Sequence, residues 1–76
     1  MSMEELGLTK TERALYYGLT LFDLSQDERN MIVIFLKPDD QVLMIHYLKM
    51  HPDATRQDIL KETERLLIQR KRLEEQ

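Results

Sequence analysis

The sequence predicts a small all-α protein of four helices, forming two short antiparallel helical hairpins, that dimerises through its central helices. Helix-start patterns recur along the chain, and each precedes a segment with apolar residues at helical spacing. The connections between these segments, of about two to four residues, are typical of antiparallel neighbours. The dimer is predicted because the two central segments are apolar on nearly every side.

The chain is short for a protein that folds alone. With 76 residues it forms one helical domain, residues 1–76, in which we expect residues 1–8 to be a flexible N-terminus. A domain of this size buries only about 60% of the surface of its unfolded chain. Small domains often gain stability from disulfides, metals or partner subunits. The sequence has no cysteine, which excludes disulfides, so we expect tight packing or association.

The first predicted helix spans residues 10–23. Thr9 and Glu12 have the spacing of a capping box, in which each side chain bonds the backbone of the other residue. Gly18 costs up to about 1 kcal/mol of helix propensity relative to alanine. It therefore indicates either a close approach of a second helix or a glycine tolerated at the surface. The main apolar face comprises Ala14, Leu15, Gly18, Leu19 and Phe22.

The second predicted helix spans residues 26–37 and begins at a capping box formed by Ser25 and Glu28. It contains six successive apolar residues, 31–36, which surround the helix. A competing interpretation is a β-hairpin, because this run is rich in β-branched and aromatic residues and the following "KPDD" suits a type I turn. The capping box immediately upstream favours the helix.

The third predicted helix spans residues 40–51, with Asp39 as its N-cap directly after Pro38. Helices that are apolar all round are buried all round, but each outer helix has a charged face and cannot cover both central helices. We therefore expect the central pair to contact a second copy, as a twofold homodimer, or a helical partner protein. The predicted oligomer interface comprises Ile32, Ile34, Phe35, Leu36, Leu43, Met44, Ile45, Tyr47 and Leu48.

The fourth predicted helix spans residues 55–74 and begins at Thr55 and Asp58, a weaker form of the capping box. Leu60 and Leu67 are seven residues apart, a spacing that resembles a short coiled-coil seam. This helix is the best remaining docking surface for a partner. One stripe contains Ile59, Leu60, Thr63, Leu66, Leu67, Arg70 and Leu73.

No spacing of residues predicts a catalytic or metal site, so we expect a non-enzymatic protein with no catalytic residues, metal, cofactor or small-molecule ligand. His46 and His51 are five residues apart, which places them about 140° apart around a helix. We expect His46 to be a core or interface residue. We expect His51 to cap the C-terminal end of the third helix.

The predicted function is a protein-interaction or regulatory module that self-associates through the apolar central hairpin. The net charge of −3 gives no general attraction to nucleic acid or anionic membranes. No run of roughly 18 apolar residues predicts a membrane span. The N-terminal pattern does not predict a signal peptide, so we expect a cytoplasmic protein.

The alternative is a small helical DNA- or RNA-binding protein. Residues 43–60 have the outline of a helix, a tight turn and a second helix, which resembles the opening of a helix-turn-helix. Acidic residues along the fourth helix nearly cancel its basic ones, which is typical of a solvated face. The candidate nucleic-acid contacts are Arg56, Arg65, Arg70, Lys71 and Arg72.

Overall fold

The computed structural model describes residues 7–75 and contains four α-helices in that range. They are α1 (Lys10–Leu19), α2 (Gln26–Phe35), α3 (Pro38–Met50) and α4 (Arg56–Glu74). The described residues contain no strand. The predicted all-α class is therefore confirmed, and the competing β-hairpin over the central segment is wrong. Most of the predicted flexible segment, residues 1–6 of 1–8, lies outside the described residues.

Helices α1, α2 and α4 begin at the predicted capping boxes. In each box, the N-cap hydroxyl accepts a hydrogen bond from the backbone N–H of the third helical residue. The carboxylate of that residue accepts one from the N-cap N–H. These bonds satisfy N–H groups that a helix N-terminus otherwise leaves unpaired. The pairs are Thr9–Glu12 (3.1 and 2.8 Å), Ser25–Glu28 (3.1 and 2.9 Å) and Thr55–Asp58 (3.2 and 3.0 Å).

Helix α3 begins earlier than the sequence pattern predicts. Pro38 is its first residue and Lys37 is the N-cap, with no side-chain capping bond. Proline suits the first helical position because its φ angle is fixed and it lacks the N–H that would have no partner there. The prediction that Asp39 is the N-cap is therefore wrong. Asp39 and Asp40 lie in the first turn, where their negative charges interact favourably with the helix dipole.

Helix α1 ends at Leu19 rather than at residue 23. The hydroxyl of Thr20 donates to the carbonyl oxygen of Tyr17 at 2.6 Å. The backbone N–H of Phe22 then donates to the Leu19 carbonyl at 3.1 Å. The turn leads to Leu24, which is only 7% exposed and therefore lies in the core. A continuous helix to residue 23 is thus replaced by a turn that buries Leu24 just before α2.

The most extensive contact between helices joins α1 and α3, which are not consecutive in the chain. At Gly18, an added Cβ would lie 3.3 Å from Cδ1 of Leu48, closer than ordinary van der Waals contact. The close approach that the sequence offered as one explanation of Gly18 is therefore present. The buried core comprises Leu15, Leu19, Leu24, Ile32, Val33, Leu36, Met44, Leu48, Ile59 and Leu66.

Gln41 joins α3 to the end of α2 in a way that the sequence did not predict. It is only 3% exposed. Its side-chain amide nitrogen donates to the carbonyl oxygens of Val33 at 3.0 Å and Leu36 at 2.9 Å. Carbonyls at a helix C-terminus lack intrahelical partners, so Gln41 caps α2 from the neighbouring helix. These two hydrogen bonds hold the end of α2 against α3 and so fix which side of α2 is exposed.

Candidate interaction surface

The residues that the sequence places in an oligomer interface differ widely in exposure. Ile32, Leu36, Met44 and Leu48 are between 0% and 6% exposed and belong to the core of the single chain. A second copy could contact these side chains only if the core opened. Two further members, Ile45 and Tyr47, are partly buried against that core.

The remaining members, Ile34, Phe35 and Leu43, are exposed. On α2, Met31, Ile34 and Phe35 have exposed fractions of 52%, 69% and 55%. Residues three and four apart lie on one face of a helix, so these three side chains are neighbours. We call them the α2 stripe. The opposite face of the same helix is in the core, so α2 is divided between a buried and an exposed apolar side.

Helix α3 also leaves apolar side chains uncovered. Leu43 is 52% exposed, and the neighbouring Val42 is 56% exposed. His46 is exposed one turn further along and is therefore not a core residue in the single chain. The expectation that His46 lies in the core is corrected, because the core side of α3 is taken by Met44 and Leu48.

An apolar groove lies between α2 and α4. Met31 and Phe35 line it from α2, and Leu60 and Leu67 line it from α4. Its volume is about 470 Å³. Glu28, Ile32, Thr63 and Glu64 complete the lining. We call it the α2/α4 groove. The sequence indicated parts of it through the seven-residue spacing of Leu60 and Leu67 and through Ile32 and Phe35, which are among the predicted interface residues, whereas Met31 is not.

A second apolar groove lies between α1 and α3, with a volume of about 430 Å³. Leu21, which is 83% exposed, lies on its border. The sequence pattern did not predict this groove, because it placed residue 21 within a continuous first helix over residues 10–23. The lining residues are Ala14, Gly18, Leu21, Phe22, Ile45, Leu48, Lys49 and Pro52.

A largely buried ion pair fixes α4 to α3. The guanidinium of Arg70 donates two hydrogen bonds to the carboxylate of Asp40, at 3.1 and 3.2 Å. The Asp40 side chain is 7% exposed and that of Arg70 is 27% exposed. The hydrogen bonds from Arg70 to Asp40 raise the pKa of Arg70. Such two-point pairing is rigid, so Arg70 acts as a structural link between the two helices.

Two more of the candidate nucleic-acid contacts are paired with carboxylates of their own chain. Arg56 bonds to Glu28 on α2, and Arg65 bonds to Glu62 at 2.6 and 2.9 Å. The bond to Glu28 raises the pKa of Arg56, and the bond to Glu62 raises that of Arg65. These pairs reduce the positive charge that α4 can offer to a phosphate backbone.

The other two candidate contacts, Lys71 and Arg72, are exposed near the end of α4. Within residues 7–75, neither has a salt-bridge partner. Glu74 and Glu75 follow after Leu73, and the carboxylate of Glu74 lies 3.6 Å from Nζ of Lys37. The C-terminal end of the helix is therefore of mixed charge rather than uniformly basic.

His51 has the predicted capping role at the end of α3. It is the C-cap residue, and both its backbone N–H and its ring Nδ1 interact with the carbonyl oxygen of Tyr47, at 2.9 and 3.0 Å. The two rings stack with their centroids 4.3 Å apart. Burial raises the pKa of the Tyr47 phenol. The contacts between His51 and Tyr47 thus cap the C-terminal end of α3, just before Pro52.

The described part of the chain has neither a cluster of metal-ligating side chains nor a helix that could span a membrane. Among residues 7–75, no group of three or more His, Cys, Asp or Glu side chains has the arrangement of a metal site. In the same range, none of the helices combines the length and the apolar character that crossing a bilayer requires. Comparison with protein-family models, curated proteins and solved structures finds no match to this chain.

Proposed function

We propose that this protein is a non-enzymatic interaction module that self-associates as a twofold dimer through the α2 stripe. The observation that carries the proposal is the exposure of Met31, Ile34 and Phe35, which are neighbours and are each more than half exposed in the single chain. Monomeric proteins rarely leave contiguous apolar patches uncovered. A second copy can cover this patch with its own, because a twofold axis brings identical surfaces together.

The energetic gain from covering the stripe supports this proposal. Complete burial of one large apolar side chain contributes roughly 1.5–3 kcal/mol. Here about half of that gain at Met31 and Phe35, and about two-thirds at Ile34, is not yet realised, because these residues are 52%, 55% and 69% exposed in the single chain. In a twofold dimer each copy contributes the same three residues, so the gain from burying them counts twice. The α2/α4 groove, with Leu60 and Leu67, extends the apolar area beside the stripe.

The perturbed ionisable groups support a structural role for the charged residues. A helix cap or ion pair lowers the pKa values of Glu28 and Asp58. Ion pairs raise those of Arg56, Arg65 and Arg70. In catalytic sites, perturbed groups instead converge in a cleft where substrate binds. Each of these groups is accounted for by a bond that fixes a helix, which favours an interaction module over an enzyme.

The direct test is the mass of the protein in solution, measured by sedimentation over a concentration series. We expect a monomer–dimer equilibrium for the wild type. The variant Ile34→Asp should weaken association by about 100-fold or more, because a carboxylate would be desolvated in the interface without a partner. Ile34 is 69% exposed in the single chain, so the helical circular dichroism of the monomer should persist.

The matched control is Leu21→Asp, which makes the same kind of change at an exposed leucine in the turn after α1. Leu21 is 83% exposed and lies beside the other groove. We expect its dimerisation to equal that of the wild type. A wild type that remains monomeric at all concentrations, or an Ile34→Asp variant that dimerises as well as the control, would contradict the proposed function.

A further inference from the structure

We infer that the second copy lies with its α4 antiparallel to α4 of the first, with the twofold axis close to Leu67 and Ile68. This inference rests on the proposed self-association and specifies its geometry. It follows from the order of charges along the exposed face of α4, together with the contact of that face with the α2/α4 groove. The occupant of the face is thus a second copy of this chain.

The outer face of α4 carries apolar residues between charges. Ile68 is 45% exposed and Leu67 is 36% exposed. Glu64 and Lys71 are seven residues apart, so they lie on the same side of the helix, about 10 Å apart along its axis. Both are exposed, and within residues 7–75 neither has a salt-bridge partner. Two opposite charges therefore flank the apolar pair at the middle of this face.

The order of these charges distinguishes the two ways in which identical helices can pair. In a parallel pair, Glu64 would face Glu64 of the partner copy and Lys71 would face Lys71, and such like charges repel. In an antiparallel pair centred between residues 67 and 68, Glu64 of each copy faces Lys71 of the partner copy. Charge complementarity thus selects the antiparallel pair.

The outer face of α4 is also continuous with the α2 stripe. Leu67 and Glu64 line the α2/α4 groove together with Met31 and Phe35. A copy placed over Leu67 and Ile68 therefore adjoins the exposed side chains of α2, and one interface uses both. Glu64, which lines this groove from α4, would then meet Lys71 of the partner copy.

Charge reversal tests the arrangement. At low ionic strength, Glu64→Lys and Lys71→Glu should each weaken dimerisation about tenfold, because each variant replaces two attractive pairs with two repulsive ones. The double variant Glu64→Lys/Lys71→Glu restores opposite charges and should dimerise within about twofold of the wild type. The control Asp53→Lys, in the loop before α4, changes the net charge by +2 as Glu64→Lys does, and should leave the dissociation constant unchanged.

The outcomes separate this inference from the proposed function. If Ile34→Asp abolishes the dimer but the Glu64 and Lys71 variants behave like Asp53→Lys, the antiparallel arrangement is wrong and self-association through α2 stands. Equal weakening by the single and double variants would also overturn the arrangement. If the wild type does not dimerise, both are wrong. Weakening by both single variants together with rescue by the double variant supports the antiparallel pair, because in a parallel pair the facing residues carry like charges in the wild type and in all three variants.

Discussion

The carboxylate of Glu28 takes part in two interactions, a helix cap and an ion pair between helices. It accepts a hydrogen bond from the backbone N–H of Ser25 and so closes the capping box of α2. The same carboxylate pairs with Arg56, the first residue of α4. The hydrogen bonds from the Arg56 guanidinium and the Ser25 N–H lower the pKa of Glu28 from 4.5 to about 2. One side chain therefore fixes the beginning of α2 to the beginning of α4.

The lowered pKa of Glu28 predicts how stability depends on pH. The unfolded chain takes up this proton first, near pH 4.5, so the stabilisation is complete above that pH and is lost as pH falls towards 2. The variant Glu28→Gln keeps a capping-box side chain but removes the charge. At pH 7 we expect its melting temperature to be a few degrees below that of the wild type. Thermal denaturation between pH 7 and 2 should show this difference shrinking below pH 4.5.

The matched control is Glu12→Gln in the capping box of α1. Glu12 bonds to Thr9 as Glu28 bonds to Ser25, but in the described part of the chain it has no arginine partner. Its substitution should therefore lower the melting temperature less at pH 7. A difference between Glu28→Gln and the wild type that persists unchanged at pH 2 would show that the ion pair is not its source.

At the scale of helices, α1 approaches α3 closely at Gly18. The 3.3 Å between a built Cβ and Cδ1 of Leu48 leaves room for a methyl group only if the flexible end of Leu48 moves slightly. Alanine would also gain up to about 1 kcal/mol of helix propensity. A branched side chain has no such compensation, because its extra methyl groups would extend into the packed contact.

We therefore predict that alanine is tolerated at this position and that valine lowers the stability. Gly18→Ala should change the free energy of unfolding by less than about 1 kcal/mol, while Gly18→Val should lower it by about 1–3 kcal/mol. Urea denaturation measures both. Ala14→Val, an exposed position one turn earlier, controls for the helix propensity of valine and should cost only a few tenths of a kcal/mol. Equal stability of Gly18→Val and Ala14→Val would contradict the close approach.

The starts of α1, α2 and α4 could be predicted from the sequence, whereas the end of α1 and the start of α3 could not. The capping boxes at Thr9, Ser25 and Thr55 depend on residues three apart, so their signal is local and was sufficient. The end of α1 depends on the burial of Leu24, a contact with residues distant in the chain. The start of α3 at Pro38 was missed because the pattern favoured a side-chain cap, and this helix has none.

The sequence predicted that the central helices carry apolar surface that the single chain does not cover, but it did not indicate which residues are exposed. A run such as 31–36 is apolar on all sides, so its periodicity does not indicate which side faces the core. Packing against α1 and α3 selects that side, and it buries Ile32, Val33 and Leu36. The same packing leaves Ile34 and Phe35 outside. Consequently the predicted interface combined core residues with exposed ones, and only a three-dimensional structure could separate them.

At the scale of the whole molecule, the two central helices contribute to the core on their inner sides and expose apolar side chains on their outer sides. Their inner sides stabilise the monomer, and their outer sides are available to a second copy. A chain of 76 residues has little surplus stability. Association would therefore contribute to folding as well as to assembly, since burial of the outer sides adds to the burial of the inner ones.

This coupling predicts a melting temperature that depends on protein concentration. A dimer that unfolds to two separate chains is favoured by mass action, so each tenfold rise in concentration should raise the melting temperature by about 3 °C. Differential scanning calorimetry over a hundredfold concentration range measures the shift. In Ile34→Asp, the interface is lost while the core is intact, so we expect a lower melting temperature that no longer varies with concentration. The exposed control Leu21→Asp should keep the concentration dependence of the wild type. A wild-type melting temperature that stays constant over the whole range would mean that the exposed apolar side of α2 adds nothing to the stability of the folded chain.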